Sequence, residues 1–129
     1  MKFELIDFPY FTDERGETIP FELDDSFPFA VKRVYLVTGK GLAVRGGHAH
    51  RTEEEVFVAS SGSVTAIIND GEGDQEIKLD KKNQGLLIRK NCWHEFKDFS
   101  VDCVLLCFSS THFAGREDYV ESKEEFLGR

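Results

Sequence analysis

Along nearly the whole chain, apolar and polar residues alternate in runs of a few residues, and a turn signal closes each run before a helix could form. The runs read as strands over Phe3–Phe8, Thr18–Leu23, Val31–Val37, Val44–His50, Glu54–Ala59, Ser63–Asn69, Gln75–Leu79, Gly85–Ile88, Trp93–Lys97 and Val101–Ser109. Asp13–Gly16, Ser61-Gly62, and Asp70-Gly71 with Gly73-Asp74 punctuate them, using residue types that tolerate positive φ or bond back to the main chain. The one helix signal lies near the end, where Ser122 can cap Lys123–Leu127 and Gly128 can stop it. About ten short strands joined by short turns make an all-β sandwich or barrel rather than a parallel α/β sheet. The 129 residues suit a single domain, 1–129, large enough to hold a core without a disulfide or metal staple.

Composition narrows the function. Twelve phenylalanines against one tryptophan and one methionine point to a rigid aromatic interior. Val64, Ala66 and Ile68 share one strand face while Thr65 and Ile67 share the other, so both faces want cover, which a partner subunit could give. A net charge of −8 argues against a non-specific binder of nucleic acid or of anionic membrane, because such binding draws its affinity from lysine and arginine. A phosphate-bearing small molecule remains open, since two or three local arginines suffice for it. No apolar run approaches the roughly 20 residues of a membrane span. The acidic residues in the opening MKFELIDF are unlike a signal peptide, and the expected location is the cytoplasm. Cys92, Cys103 and Cys107 are odd in number and lack CxxC spacing, which fits reduced core thiols in a reducing compartment.

Chemistry concentrates in Arg45-Gly46-Gly47-His48-Ala49-His50-Arg51-Thr52-Glu53-Glu54-Glu55. On a strand His48 and His50 point to one face, about 7 Å apart. Two such imidazoles can share a metal or stand on either side of a substrate carbon. Glu55, Gly62 and later His94, in Cys92-Trp93-His94, complete a spacing that is similar to the cupin signature. That resemblance implies a cupin-type jelly-roll barrel or double-sheet sandwich with those side chains converging at its mouth. Glu53–Glu55 as a run reads as a solvated face from which only Glu55 is singled out, and His112 reads as a surface residue.

Beyond this signature the chain resembles the sugar-nucleotide 3,4-ketoisomerases of the FdtA/WxcM-like family. The resemblance rests on Val34-Tyr35, on Arg45-Gly46-Gly47-His48-Ala49-His50, on Leu87-Ile88 through Trp93-His94, and on Ser109-Ser110. It continues in Glu117-Asp118-Tyr119-Val120 and Glu125-Phe126-Leu127. It implies an isomerase that moves the carbonyl of a dTDP-4-keto-6-deoxy-hexose from C4 to C3, without metal or other cofactor, in deoxysugar biosynthesis. It also implies a homodimer that exchanges N-terminal β-structure.

Two departures from the family pattern stand out. Glutamine is usual where Glu55 stands, and Arg89-Lys90-Asn91 replaces a proline-rich approach to the Trp-His pair. Glutamate restores a potential metal set of His48, His50, Glu55 and His94, so a metal-dependent cupin enzyme is the rival reading, and a non-catalytic sugar-sensing cupin a second.

Moving a ketone to its neighbour takes two proton transfers through an enediol, and a near-neutral histidine suits both. The expected roles are His48 as carbon base, His50 as its partner that shuttles protons or polarises the ketone, and Tyr35 as a group orienting the sugar hydroxyls or helping to polarise the carbonyl. Arg45 would reach the diphosphate only if the strand bulges at Gly46-Gly47. His94, Trp93 and Glu55 complete the expected binding residues, Trp93 either stacking on the base or packing as a wall.

Overall fold

The computed structural model describes residues 2–113 and 115–128. Strands β1 (Phe3–Asp7), β4 (Arg33–Val37), β6 (Glu55–Ser61), β9 (Gln84–Ile88) and β11 (Val104–Ser109) form one antiparallel sheet in the order β1-β9-β6-β11-β4. Strands β5 (Arg45–His50), β7 (Val64–Asn69), β8 (Asp74–Leu79), β10 (Trp93–Lys97) and β12 (Tyr119–Val120) form the second, in the order β12-β5-β10-β7-β8. The facing surfaces enclose the main core, in which Phe57, Ala66, Ile68, Leu86, Phe96, Leu105 and Cys107 are buried. Cys92 and Cys103 join that core, and all three thiols are free. The alternation Val64, Ala66, Ile68 and Phe57, Ala59 along their strands is what fills this space.

The outer face of the first sheet is covered by the chain itself. Val56, Val58, Leu87 and Phe108 point away from the main core and pack with Phe27, against which Phe8, Phe21, Phe29 and Val31 also lie. Phe27 meets the Phe108 ring at 5.3 Å and Phe29 at the same distance, both edge-on. Burying each ring is worth about 1.5–3 kcal/mol, and together the rings anchor this irregular segment to the sheet. Within the single chain, this segment covers that face.

The same segment corrects the expectation of a strand at Thr18–Leu23. Pairing instead runs between β2 (Phe11–Asp13) and β3 (Gly16–Thr18), a hairpin around the turn read at Asp13–Gly16. Pro20 lacks the N–H that a continued ladder needs, and the chain beyond β3 leaves strand geometry. The C-terminal helix spans Lys123–Phe126, with the Ser122 hydroxyl accepting from the Glu125 N–H at 3.3 Å and Gly128 at φ 80° just beyond. No helix among the described residues is long and apolar enough to cross a membrane.

Candidate active site

The site is built where β5 and β10 pair. His48 stands opposite His94 and Gly46 opposite Glu95, leaving Gly47 as an extra residue on β5. Gly46 at φ 79° and Gly47 at φ 81° occupy the left-handed region that this bulge requires. A Cβ at Gly46 would also come within 3.1 Å of the His94 carbonyl oxygen. The bulge reverses the facing of Arg45, which strict alternation would send outward. Arg45 therefore lines the same cavity as His48, and its guanidinium donates to the Thr38 carbonyl at 2.5 Å across the gap.

That cavity encloses about 250 Å³ between the edge strand β4 and β5. His48, His94, Tyr35 and Tyr119 form its polar wall, and Val37, Phe57, Phe96 and Leu105 its apolar one. Arg33 and Phe113 stand with them, the Arg33 guanidinium lying 5.0 Å from the Tyr35 ring centroid and 5.7 Å from that of Phe113. The His48 ring meets those of His50, His94 and Tyr119 edge-on at 4.7, 4.8 and 4.7 Å.

His50 lies behind this wall, sealed from solvent. Its Nε2 is 3.1 Å from Glu55 Oε1, and its Nδ1 is 3.2 Å from Asp118 Oδ2 and 3.4 Å from Glu53 Oε1. The contact with Glu55 is ionic rather than a well-aligned hydrogen bond, for neither atom has an aligned partner among the described residues. Burial alone would push His50 down, but contact with Glu55 and the charges of Glu55, Glu53 and Asp118 outweigh it and raise its pKa. Glu55, only 1% exposed, is correspondingly held down to about 2: burial opposes this, but His50 and His94 prevail, helped by the Tyr35 hydroxyl donating to Oε2. Burial, then the Glu55 charge, pushes the Tyr35 phenol far above its usual value, so it stays a donor.

His48 is the opposite case. Burial, reinforced by His94 and His50, lowers it to about 3, and among the described residues nothing hydrogen-bonds its ring. His94 is also lowered, by burial and against the pull of Glu55. Its Nδ1 faces the Cys92 carbonyl at 3.2 Å and its Nε2 lies 3.6 Å from Glu55 Oε1. Two alternate histidines of one strand are thus driven in opposite directions, the charged form disfavoured in the cavity and favoured in the carboxylate cage behind it.

The ligating atoms of His48, His50 and His94, and those of His50, Glu53 and Glu55, fall within 4.8 Å of one another. Imidazole and carboxylate donors of this kind suit a borderline divalent ion, and the buried, unaligned His50 Nε2 and Glu55 Oε1 leave it room for two bonds. Such an ion would act as a Lewis acid on a bound carbonyl.

Of the residues expected from sequence, His48, His94, Tyr35 and Arg45 line the cavity, while His50 and Glu55 support it from behind. Trp93 lies elsewhere: it packs with Ala49, Val120 and Phe126, and its Nε1 donates to Glu95 at 2.8 Å. It is a wall of the second sheet's outer face. His112 is exposed as expected. Sequence reasoning missed Glu53, Asp118 and Tyr119. Glu53 is no part of a solvated face; it is 4% exposed, paired with Arg33 at 2.9 Å and bonded by the Ser109 hydroxyl. Asp118 accepts from the Thr52 N–H at 2.9 Å and from the Thr52 hydroxyl at 2.6 Å, which fixes the loop after β5. Tyr119 pairs with His50 in the β12–β5 ladder. The one signal for Asp118 and Tyr119 was the Glu117–Val120 motif of the resemblance, and Glu53 had none beyond its place in the acidic run.

The chain is similar to known proteins over nearly its whole length. The family model described as FdtA: WxcM-like, C-terminal, matches residues 1–129. A TDP-4-oxo-6-deoxy-alpha-D-glucose-3,4-oxoisomerase of Aneurinibacillus thermoaerophilus is 38% identical over 98% of this chain and 91% of its own. The crystal structure of a 3,4-ketoisomerase from Helicobacter canadensis is 34% identical, with a TM-score of 0.91 over 99% of this chain and 96% of that one. A variant of the Thermoanaerobacterium thermosaccharolyticum 3,4-ketoisomerase, solved with TDP-4-keto-6-deoxyglucose, is 29% identical, with a TM-score of 0.92 over 98% and 92%.

Proposed function

The chain belongs to the FdtA, WxcM-like C-terminal family, and on that premise we propose that it is a sugar-nucleotide 3,4-ketoisomerase acting on a dTDP-4-keto-6-deoxy-hexose. The observation that carries the reading is the His48 imidazole, neutral and without a partner among the described residues, facing a cavity sized for one sugar ring. At about 250 Å³ the cavity is smaller than the ~300–1,000 Å³ that encloses a drug-sized ligand, so the nucleotide lies along its mouth. There Arg45 is the group for the diphosphate, by charge-assisted hydrogen bonds.

In the reaction His48 takes the C3 proton, which the adjacent C4 carbonyl acidifies, and the electron pair forms the C3=C4 bond of an enediolate. The proton on His48 exchanges with solvent at the cavity mouth, His48 then protonates C4, and C3 becomes the ketone. General acid–base catalysis of this kind is worth roughly 10²–10⁴-fold. His50 serves as the fixed cation behind the base rather than as a shuttle, because both its nitrogens face carboxylates. Tyr35 positions Glu55, and Glu55 holds His50. The expected apolar wall for the sugar's C6 methyl is Val37, Phe57, Phe96 and Leu105.

The enzyme acts as a homodimer that exchanges N-terminal β-structure. This reading is supported by the β2–β3 hairpin, which pairs with no other strand among the described residues and carries Phe11 62% exposed. Edge strand β4 likewise exposes Val34 and Leu36. The three free, buried cysteines fit a cytoplasmic, reducing location. Incubation with dTDP-4-keto-6-deoxyglucose in D₂O, followed by NMR, tests the activity: solvent deuterium at C4 of a 3-keto product is expected, and an unchanged sugar refutes it. The clustered donors favour one second reading, a metal-dependent cupin enzyme, which stoichiometric metal in protein purified without chelator would support.

A further inference from the structure

Isomerisation moves two protons: one from C3 to C4, carried by His48, and one from the C3 hydroxyl to the C4 oxygen. The second needs a group that can donate to O4 and accept from O3. His50 cannot be that group, since Nε2 lies on Glu55 and Nδ1 between Asp118 and Glu53, all beneath the cavity wall. His94 turns Nδ1 to the Cys92 carbonyl and Nε2 towards Glu55. Tyr35 donates its hydroxyl to Glu55.

Tyr119 is the phenol left over. It lines the cavity, and the β12–β5 ladder sets it opposite His50. Its ring packs edge-on against His48 at 4.7 Å and His50 at 4.5 Å, and is held from outside by the Arg116 guanidinium 5.0 Å from its centroid. Among the described residues its hydroxyl has no hydrogen-bond partner, unlike that of Tyr35. A ring so fixed, with a free hydroxyl beside a free base, is preorganised to stabilise charge on an oxygen next to the carbon that the base attacks.

We infer that Tyr119 is a catalytic residue of the ketoisomerase reaction, donating to the C4 oxygen and relaying the C3 hydroxyl proton to it. As His48 takes the C3 proton, the C3–H pair becomes the C3=C4 bond and the carbonyl π pair moves to O4, which takes the Tyr119 proton. The phenol oxygen recovers a proton from the C3 hydroxyl as C3=O forms, while the C3=C4 pair takes the proton from His48 at C4. His48 and Tyr119 are both regenerated, and no co-reactant is needed.

The inference rests on the ketoisomerase reading and is tested by Tyr119→Phe, which keeps the ring packing and removes a hydroxyl that nothing in the described fold uses. With dTDP-4-keto-6-deoxyglucose in D₂O, kcat is expected to fall about a hundredfold or more. KM stays within about threefold, the melting temperature is unchanged, and deuterium exchange at C3 slows in step with product formation. A kcat within threefold of wild type, a loss confined to KM, or exchange at C3 persisting at the wild-type rate would each overturn it. Wild-type protein that neither exchanges nor isomerises refutes the ketoisomerase reading itself. An active wild type with an equally active variant removes Tyr119 alone.

Discussion

Replacing His50 by asparagine tests the claim that this residue is a caged cation. In the native site Glu55, Asp118 and Glu53 lie 3.1, 3.2 and 3.4 Å from its ring, and Arg33 at 2.9 Å from Glu53 is the other cation in contact with them. Removing one member of a buried ion pair costs about 3–5 kcal/mol, because the charge left behind is neither solvated nor paired. Asparagine offers one of these carboxylates an amide N–H, so the lower half of that range is expected at pH 7, a fall of roughly 10–15 °C in melting temperature for a domain of this size. The deficit depends on pH in a defined direction. With its folded pKa raised, His50 contributes fully below its unfolded value of about 6.5, and the contribution fades only as pH rises through the folded value. The deficit should therefore shrink between pH 7 and pH 9, as wild type loses that contribution and the variant has none to lose. Thermal melts of both proteins at the two pH values measure this. A loss below about 1 kcal/mol at pH 7, or a deficit no smaller at pH 9, would refute the caged-cation argument.

Four other outcomes are expected. His48→Asn should lower kcat by about two decades or more while the protein stays folded, and retention within threefold in steady-state assays would remove His48 from the mechanism. Because burial and the neighbouring imidazoles lower His48 to about 3, the base stays unprotonated far below the ordinary histidine value. The acid limb of kcat/KM should accordingly lie below pH 5, and a limb near 6.5 contradicts it. Glu55→Gln should lose less than tenfold in kcat, since the amide oxygen still accepts from Tyr35 and two carboxylates still hold His50, and chelator-treated wild type should keep its rate. Activity lost on chelation and restored by one metal equivalent would move the protein to the metal-cupin class.

The sandwich was legible because its determinant is local. The period-2 runs and their Gly/Asp turns locate most of the strands to within a residue or two, and Ser122 and Gly128 bracket the helix. The failure at Thr18–Leu23 has a tertiary cause. Phe21 alternates as a strand residue would, yet it is held by rings contributed from distant positions, 4.9 Å from Phe8 and 5.2 Å from Phe108, and not by a ladder. The bulge at Gly46-Gly47 could be named from sequence as a condition for Arg45 but not decided, since glycine permits positive φ without requiring it.

The site itself shows why periodicity reaches residue identity before it reaches role. Alternation put His48 and His50 on one face and made them equivalent. What separates them is the return of Asp118–Val120 to the edge of β5, far along the chain and only two strand residues long. That return sets Asp118 against His50 Nδ1 and Tyr119 across both rings, while the turn at Arg51-Thr52 folds Glu53 beneath. A carboxylate cage stabilises the charged form of one imidazole, and burial beside that cation destabilises the charged form of the other. On the proposed mechanism, environments that push two neighbouring titratable groups apart leave one to hold a proton and the other to take one. Strand alternation treats both histidines alike, so the difference between their environments lies in the strand pairing.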